Sequence, residues 1–387
     1  MNHMQKGVIM LIKSAITGEA QPLPEGFSID EAYGFIVKHK IMMLAYDGAV
    51  RCGIPKENPT MQKLFQSYIQ GLLYSEKQMK AVSEIYSAFD ENGIDYLPLK
   101  GCNMKYLYPK PELRLMGDAD ILIKEEQYIK IKKVLSELGY SDLGIISNHY
   151  VWDSPELHIE AHISPMPASN QKFYDYYGKG WAKAHKSEGC RYIYSKEDSF
   201  IFLFIHFARH YLDGGIGIRH AADIFVYMNN FCDMDYSYIE EEMEKLGILK
   251  FYKNVLTVLD YWFKNGNVTD SAKIVSDFIM ESGNWGSFES SALATGHNSF
   301  LAEEKVSGTK GKNFFNEVFP NKKIMTQRYS WVDNKTLLMP AAWVARWVDA
   351  IIFRRKNIKI KVKKIKMMND EKIDEYRDNL RKSGFDI

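Results

Sequence analysis

A pair of carboxylates inside an apolar run constrains this chain more than any other stretch of it. Asp118 and Asp120 are separated by one residue and lead into the apolar segment 121–123. In an extended strand, residues i and i+2 project to the same face, so the two carboxylates would lie side by side. Two like charges at that spacing are unfavourable unless a cation lies between them. Hard oxygen ligands of this kind suit Mg²⁺, which binds one or two carboxylates together with phosphate oxygens.

A short segment upstream has the features of a phosphate-binding turn. Residues 95–99 predict a strand, and Gly101 opens a segment, 102–108, that predicts a helix. A strand, a glycine and a helix N-terminus present free backbone N–H groups and the positive end of the helix dipole to an anion. Lys100 and Arg114 add positive charge, and an arginine can bind a phosphate through two donors.

These motifs resemble those of a known superfamily. The pattern LKG, then YP, then LR-x-M-G-D-x-D before an apolar strand is similar to the bacterial uncharacterised nucleotidyltransferase family, within the DNA polymerase beta-like nucleotidyltransferase superfamily. The superfamily usually has Gly-Ser at the turn, whereas this chain has Gly101-Cys102, and its gap to Asp118 is somewhat longer than in the best-known members. The resemblance is most specific over residues 97–123 and weaker over 157–162.

The resemblance implies an α+β fold with a polymerase beta-like nucleotidyltransferase core, a small mixed sheet with helices, flanked by helical N- and C-terminal segments. Four segments follow from this assignment. They are a helical segment 1–94, the α/β core 95–165, a helical domain 166–338 that completes the cleft, and a basic helical segment 339–387. The apolar periodicity of the first segment is that of ordinary scaffold helices.

A third acid is expected on a predicted β-hairpin. Segments 148–152 and 157–163 alternate on either side of a polar turn, which is typical of a hairpin. His158, Glu160 and His162 would share one face of its second strand. Alone, Glu160 reads as an exposed acid on a half-buried strand. In the superfamily, however, a third carboxylate comes from a later antiparallel strand beside the D-x-D strand, so the resemblance implies this role for Glu160.

The function implied by the resemblance is transfer of a nucleoside monophosphate from an NTP, ATP being the first choice of donor, to an acceptor hydroxyl, with release of pyrophosphate. Asp118, Asp120 and Glu160 would be the catalytic residues and would hold two Mg²⁺ ions, and Glu160 would also take the acceptor proton. The nucleotide-binding residues would be Lys100, Gly101, Cys102, Arg114, Gly117 and Arg219.

Polar residues in the helical region allow a second interpretation. His206 and His210 are four residues apart, and Arg219 and Asp223 follow on the next predicted helix. A metal-dependent phosphohydrolase is disfavoured because there is no adjacent His-Asp pair. The related family carries a similar His, His, Arg, Asp pattern, so we predict a polar layer that faces the cleft, with Asp223 holding Arg219.

The C-terminal part is strongly basic. Residues 346–366 hold nine Lys or Arg residues and one acid, after a helix predicted to open at Pro340, and a charged tail helix is predicted within 370–387. Such a segment suits a membrane surface or a nucleic acid, but a solvated helix face is the interpretation we favour.

Composition excludes several classes of protein. The net charge of +1 does not mark the whole chain as a polyanion binder, and four scattered cysteines without a C-x-x-C pair form neither a zinc framework nor a dense disulfide scaffold. No apolar run has the length of a membrane span, and the run 8–12 is too short for a signal peptide. We therefore expect a cytoplasmic protein.

The sequence leaves the acceptor open. Without a recognisable RNA-binding module, a small-molecule or protein hydroxyl is favoured over a nucleic acid. Neither the base of the NTP nor the oligomeric state can be deduced. The alternative function is a catalytically silent nucleotide- or partner-binding protein, which Cys102 in place of the usual serine motivates.

Overall fold

The computed structural model describes residues 1–146, 148–167, 170–284, 286, 290–295 and 318–387, the last range with gaps at 321, 323–324, 326–331, 333–335 and 354–369. The chain divides into two compact units. The first consists of Met1–Arg209, Ile216–Asn284 and Ser383–Asp386, and the second of His210–Gly215, Trp285–Lys382 and Ile387. The four-segment division by function stays a prediction.

Four helices precede the sheet: α1 (His3–Thr17), α2 (Ile29–Lys38), α3 (Met42–Arg51) and α4 (Pro59–Glu91). The long helix α4 begins with a side-chain cap, because the Asn58 side chain accepts hydrogen bonds from the N–H groups of Thr60 and Met61 and Pro59 occupies the first turn. It ends before Gly93, whose φ of 60° suits a left-handed residue after a helix.

Five strands form a mixed sheet in the order β1-β2-β5-β4-β3, in which β2 and β5 are parallel and all other neighbours are antiparallel. Their bounds are β1 (Tyr96–Pro98), β2 (Ala119–Ile123), β3 (Ser141–Ile146), β4 (His149–Asp153) and β5 (His158–His162). Two short helices lie between these strands, α5 (Gly101–Met104) after β1 and α6 (Tyr128–Glu137) after β2.

The β4–β5 hairpin is confirmed, but the expected antiparallel pairing of the Glu160 strand with the D-x-D strand is wrong. The helix α6 carries the chain back to the starting end of the sheet, so β3 runs in the same direction as β2. Two reversals, into β4 and then into β5, leave β5 parallel to β2.

One face of the sheet is packed into a core and the other is left for polar side chains. The core face carries Tyr96, Ile121, Ile159 and Trp152, which lie in one cluster with apolar residues of α4 and α6. The alternation of each strand therefore sends the intervening residues, Glu160 among them, to the opposite face.

Helices dominate the chain after the sheet. They are α7 (Gln171–Tyr177), α8 (Lys196–Leu212), α9 (Ile218–Asn230), α10 (Tyr236–Lys245), α11 (Leu249–Phe263) and α12 (Asp270–Ser282), with a two-stranded ribbon of β6 (His185–Lys186) and β7 (Tyr192–Ile193) before α8. Helix α8 begins with a side-chain cap, since Ser195 Oγ accepts a hydrogen bond from the Asp198 N–H at 3.0 Å.

Two further helices belong to the C-terminal part, α13 (Met339–Phe353) and α14 (Asp370–Ser383). The predicted helix start near Pro340 and the predicted tail helix are both confirmed. Most of the basic segment, residues 354–369, lies outside the described residues. Within the part of the chain that the structure describes, no helix is both long and apolar enough to cross a bilayer.

Candidate active site

The parallel pairing of β2 with β5 brings two of the predicted acids together. Asp120 and Glu160 are register partners on these neighbouring strands, and directly paired residues project from the same face of a sheet. Asp120 is 6% exposed, and the Glu160 side chain is 25% exposed. The two carboxylates therefore lie side by side, with Asp120 buried and Glu160 partly exposed.

Two basic side chains lie against these carboxylates. His162 Nε2 is 2.8 Å from Asp120 Oδ1 and 3.5 Å from Glu160 Oε2, and Lys100 Nζ is 3.5 Å from Asp120 Oδ2. Burial alone would raise the pKa of Asp120, but Lys100 and His162 hold it well below its ordinary value. Burial opposes the charge on His162, yet the hydrogen bonds to both acids raise its pKa. The Nε2 atom of His162 thus faces both carboxylates and lies closer to Asp120.

Asp118 stands at the entry to β2, one residue before the strand begins, and is half-buried. Burial and the adjacent Asp120 raise the pKa of Asp118, with a further contribution from Glu160. Among the described residues, its carboxylate makes no hydrogen bond and no ion pair. Asp118 is thus an acid that no described side chain pairs directly, and a bound cation would relieve its repulsion from Asp120.

A histidine that the sequence analysis did not select also joins the site. His149 on β4 is the register partner of His162, and its Nε2 lies 3.7 Å from Glu160 Oε2. Within the described ranges, His149, Glu160 and His162 are the group whose ligand atoms lie within 4.8 Å of one another, as a metal site requires. Asp118 is not part of that group. The alternation of side chains along the hairpin could have predicted this position, because it puts His149 on the same face of the sheet as Glu160.

The loop that leads to Asp118 is held by buried side chains from three directions. The carbonyl of Arg114 accepts a hydrogen bond from Lys105 Nζ at 2.9 Å, that of Leu115 from Arg219 Nη1 at 2.6 Å, and that of Met116 from Gln78 Nε2 at 3.1 Å. Three consecutive backbone carbonyls are therefore hydrogen-bonded inside the protein. We call residues 114–116 the anchored loop. This rigid approach positions the first acid of the D-x-D pair.

Arg114 and Asp223 form a buried ion pair behind this loop. Arg114 Nε and Nη2 donate to the two oxygens of Asp223 at 3.2 and 3.0 Å, and the Tyr108 hydroxyl donates to Asp223 Oδ1 at 2.8 Å. Asp223 therefore holds Arg114, and the expectation that it holds Arg219 is wrong. Two of the three guanidinium nitrogens of Arg114 thus bond a protein carboxylate, and its role as a phosphate ligand stays a prediction.

Arg219 is a buried cation with unused donors. It is 8% exposed, and its Nε has no hydrogen-bond partner among the described residues. Burial and the nearby Arg114 lower the pKa of Arg219 to about 10, while Asp223, Tyr108 and, more weakly, Asp118 oppose the shift. A buried guanidinium near the acids is suited to receive an anionic ligand.

The turn after β1 is shorter and tighter than predicted. Its helix, α5, has four residues, and Lys100 just before it has a positive φ of 34°, which is rare for a residue with a side chain. A Cβ at Gly101 would lie 3.2 Å from Arg114 Nη1, whereas one at Gly117 would meet nothing within 4 Å. Cys102 points away from the acids, and its thiol packs 3.7 Å from Met116 Sδ in the core.

The helical histidines are not arranged as a metal centre with Asp223. His206 is buried, and its ring centroid lies 6.5 Å from that of His220. Asp223 is occupied by Arg114 and Tyr108, and the described residues contain no metal-ligand group that includes His206 or His210. The structure thus gives the phosphohydrolase interpretation no support.

A small mixed sheet within a mostly helical α+β chain is consistent with a nucleotidyltransferase domain. A family model described as an uncharacterised nucleotidyltransferase matches residues 25–264. This is more than half of the chain, so the protein belongs to that nucleotidyltransferase family, as its motifs predicted. No curated protein and no solved structure matches the chain.

Proposed function

We propose that this protein is a Mg²⁺-dependent nucleotidyltransferase with a polymerase beta-like core, which moves a nucleoside monophosphate from an NTP to an acceptor hydroxyl and releases pyrophosphate. ATP is the donor to test first. The observation that carries the proposal is the in-register pairing of Asp120 with Glu160 on parallel strands, with Asp118 at the start of the same strand.

The residues present fit a divalent cation. Asp118, Asp120 and Glu160 are hard oxygen donors, and Asp118 makes no hydrogen bond and no ion pair among the described residues. In this proposal the three carboxylates would hold two Mg²⁺ ions, and Glu160 also lies within reach of His149 and His162. When bound, the ions would neutralise the triphosphate and help to activate the acceptor hydroxyl.

The protein's own groups then have separate roles. Lys100 and Arg219 bind phosphate oxygens, since both are buried cations near the acids. The acceptor oxygen forms a bond to the α-phosphorus while the bond from that phosphorus to the pyrophosphate oxygen breaks. Glu160, the more exposed of the paired acids, takes the hydroxyl proton. Most of the rate enhancement comes from positioning and charge neutralisation.

The turn and the loop complete the nucleotide site in this proposal. Gly101 and Cys102 contribute backbone N–H groups, and the open surroundings of Gly117 leave room for a phosphate beside the backbone. The buried pair with Asp223 supports a positioning role for Arg114, which acts on Asp118 through the anchored loop.

The test is calorimetric titration of each of the four NTPs with Mg²⁺ on the wild type and on Asp118→Asn. This variant is chosen because Asp118 has no partner to lose, so removal of its charge relieves repulsion and leaves the fold intact. We expect Mg²⁺-dependent binding of at least one NTP to the wild type and its loss in the variant. The matched control is Asp153→Asn, an exposed acid at the end of β4, which should bind as the wild type does.

Two results would count against the proposal. Equal Mg²⁺-dependent affinity in Asp118→Asn and the wild type would remove Asp118 from the metal site. NTP binding without pyrophosphate release, for all acceptors tried, would instead favour the silent nucleotide-binding protein that Cys102 in place of the usual serine motivates.

A further inference from the structure

A cavity lies on the same face of the sheet as the paired acids. It has a volume of about 320 Å³ and is bounded on one side by Leu97 and Leu99 of the β1 segment. Leu97 is the register partner of Leu122, and the Leu99 N–H donates to the Asp120 carbonyl at 2.9 Å. Paired residues project to one face, so the cavity and Asp120 lie on one side of the sheet, at its β1 edge.

Lys100 contacts both the cavity and the acids. It lines the cavity, its Nζ lies 3.5 Å from Asp120 Oδ2, and the same atom lies 5.8 Å from the ring centroid of Phe202. Phe202 also lines the cavity. A ligand in this space would therefore have one end beside the group that contacts Asp120.

The rest of the lining is mostly apolar and aromatic. It includes Met104, Leu107, Leu203, Tyr227 and Phe231, which come from the α5 region, α8 and the end of α9. Ligand pockets of about 300–1,000 Å³ with apolar walls and a few polar groups are typical of small-molecule sites. This cavity is at the small end of that range.

The charged residues of the lining are all basic. Among the described residues that line the cavity, Lys100, Arg191 and Lys196 are cations and none is an acid. Lys196 is paired with Asp233. Arg191 forms no ion pair within the described ranges: its Nη2 donates to Asn103 Oδ1 at 3.0 Å, and its buried Nε has no partner. An anionic group on a ligand would satisfy this guanidinium.

We propose that the cavity is the acceptor pocket and that it takes small hydroxy acids: largely apolar or aromatic molecules with a hydroxyl at one end and an anionic group, such as a carboxylate, at the other. This assignment rests on the proposed nucleotidyl transfer and names its acceptor class. The absence of acids from the described lining disfavours polycationic acceptors such as amino sugars, because their ammonium groups would have no counter-charge there.

The proposed transfer forms one bond to phosphorus and breaks one. The ligand hydroxyl oxygen forms a bond to the α-phosphorus of the NTP, and the bond between that phosphorus and the pyrophosphate oxygen breaks. The hydroxyl proton passes to Glu160, and pyrophosphate leaves with the bonding electrons. The product is a phosphodiester between the nucleoside and the hydroxy acid, whose anionic group stays on Arg191.

Two probes with the same ring and hydroxyl but opposite charge test this class. They are 4-hydroxyphenylacetate, which carries a carboxylate, and tyramine, which carries an ammonium group. Binding of each to the full chain is measured by saturation-transfer NMR and calorimetry, with Mg²⁺-ATP binding measured on the same samples. We expect 4-hydroxyphenylacetate to bind at least tenfold more tightly than tyramine, and Arg191→Gln to remove most of that difference.

A variant that fills the cavity makes the assignment specific. Ser199→Trp places a large ring in the cavity from α8, and should abolish binding of 4-hydroxyphenylacetate while Mg²⁺-ATP binding persists. Ser83→Trp, the same change at an exposed position of α4, should leave both unchanged.

The outcomes separate the two proposals. Equal or tighter binding of tyramine, or no binding of either probe, overturns the hydroxy-acid class whether or not Mg²⁺-ATP binds. Loss of Mg²⁺-ATP binding in a folded Ser199→Trp would show that the cavity holds the nucleotide base and would equally overturn the assignment. Failure of the wild type to bind any NTP, with selective binding of 4-hydroxyphenylacetate retained, overturns nucleotidyl transfer and leaves the ligand class supported.

Discussion

The ion pair between Arg114 and Asp223 should be among the most costly contacts to break in the first unit. Asp223 is 1% exposed, Arg114 is 5% exposed, and the aspartate accepts two hydrogen bonds from the guanidinium and one from the Tyr108 hydroxyl. Asp223→Ala would leave a buried guanidinium without a counter-charge and a buried hydroxyl without an acceptor. Removal of one partner of a buried pair costs about 3–5 kcal/mol, a large share of a typical stability of about 5–15 kcal/mol.

The double variant separates the value of the pair from the cost of a lone charge. Arg114→Met with Asp223→Leu removes both charges and keeps comparable volume, so we expect it to recover most of the loss. Some cost should remain, because the Tyr108 hydroxyl still lacks its acceptor. The control is Glu137→Ala, which breaks the ion pair between Glu137 and Lys133, whose side chains are 64% and 76% exposed respectively. This change should lower the free energy of unfolding by less than about 1 kcal/mol.

The assay is urea unfolding followed by circular dichroism, with hydrogen exchange of β2 peptides measured by mass spectrometry. The exchange measurement is included because a chain with two compact units need not unfold in one step. A loss in Asp223→Ala no larger than in Glu137→Ala would refute the reasoning, since the pair would then behave as a surface contact. A double variant as unstable as the single one would refute the lone-charge explanation.

Three further predictions concern packing, pH and thiol reactivity. A Cβ at Gly48 would lie 1.9 Å from a backbone oxygen of α1, so Gly48→Ala should lower the free energy of unfolding by about 3 kcal/mol. Gly34 in α2 has open space around it, so Gly34→Ala should raise the free energy of unfolding by about 0.5–1 kcal/mol. Urea unfolding of both variants checks this. Burial and the neighbouring Arg114 lower the pKa of Lys105 to about 8, below that of an unfolded lysine, so stability gains a contribution as the pH rises from about 8 towards 10. Lys105→Met should therefore reduce the slope of stability against pH over that range by up to about 1.4 kcal/mol per pH unit, as urea midpoints at several pH values would show, and an unchanged slope would contradict it. Burial raises the pKa of the Cys102 thiol to about 11, so little of it is the reactive thiolate at neutral pH. Iodoacetamide should therefore alkylate the exposed Cys232 and should not alkylate Cys102 until the chain unfolds. Peptide mass spectrometry identifies which cysteine is modified.

Local patterns in the sequence predicted much of the fold. Strand alternation placed Glu160 on the polar face, and the helix predicted to open near Pro340 begins at Met339. These signals are short-range, because a cap or an alternation depends on neighbours within a few residues. The family itself was predicted correctly from the motifs around Asp118.

Long-range pairings were not predictable in the same way. Gln78 belongs to a helix that reads as scaffold, yet its amide holds the Met116 carbonyl beside the acids. Asp223 lies 3.0 Å from an arginine more than a hundred residues earlier rather than from Arg219 on its own helix. A single sequence does not say which helix packs against which loop, so neither contact had a local signal.

Because β5 pairs with β2 in a fixed parallel register, the packing of the hydrophobic core determines where the carboxylates of Asp120 and Glu160 lie. Because side chains alternate with a period of two, a slip of one residue would turn Ile159 and Ala161 out of the core and bury Glu160 in their place. Exposing a buried isoleucine costs about 1.5–3 kcal/mol, and a buried, unpaired carboxylate costs more. The buried apolar residues of this strand thus fix the positions of its polar residues. A substitution that loosens the packing of Ile159 should therefore make the distance between the carboxylates more variable, although neither carboxylate is changed.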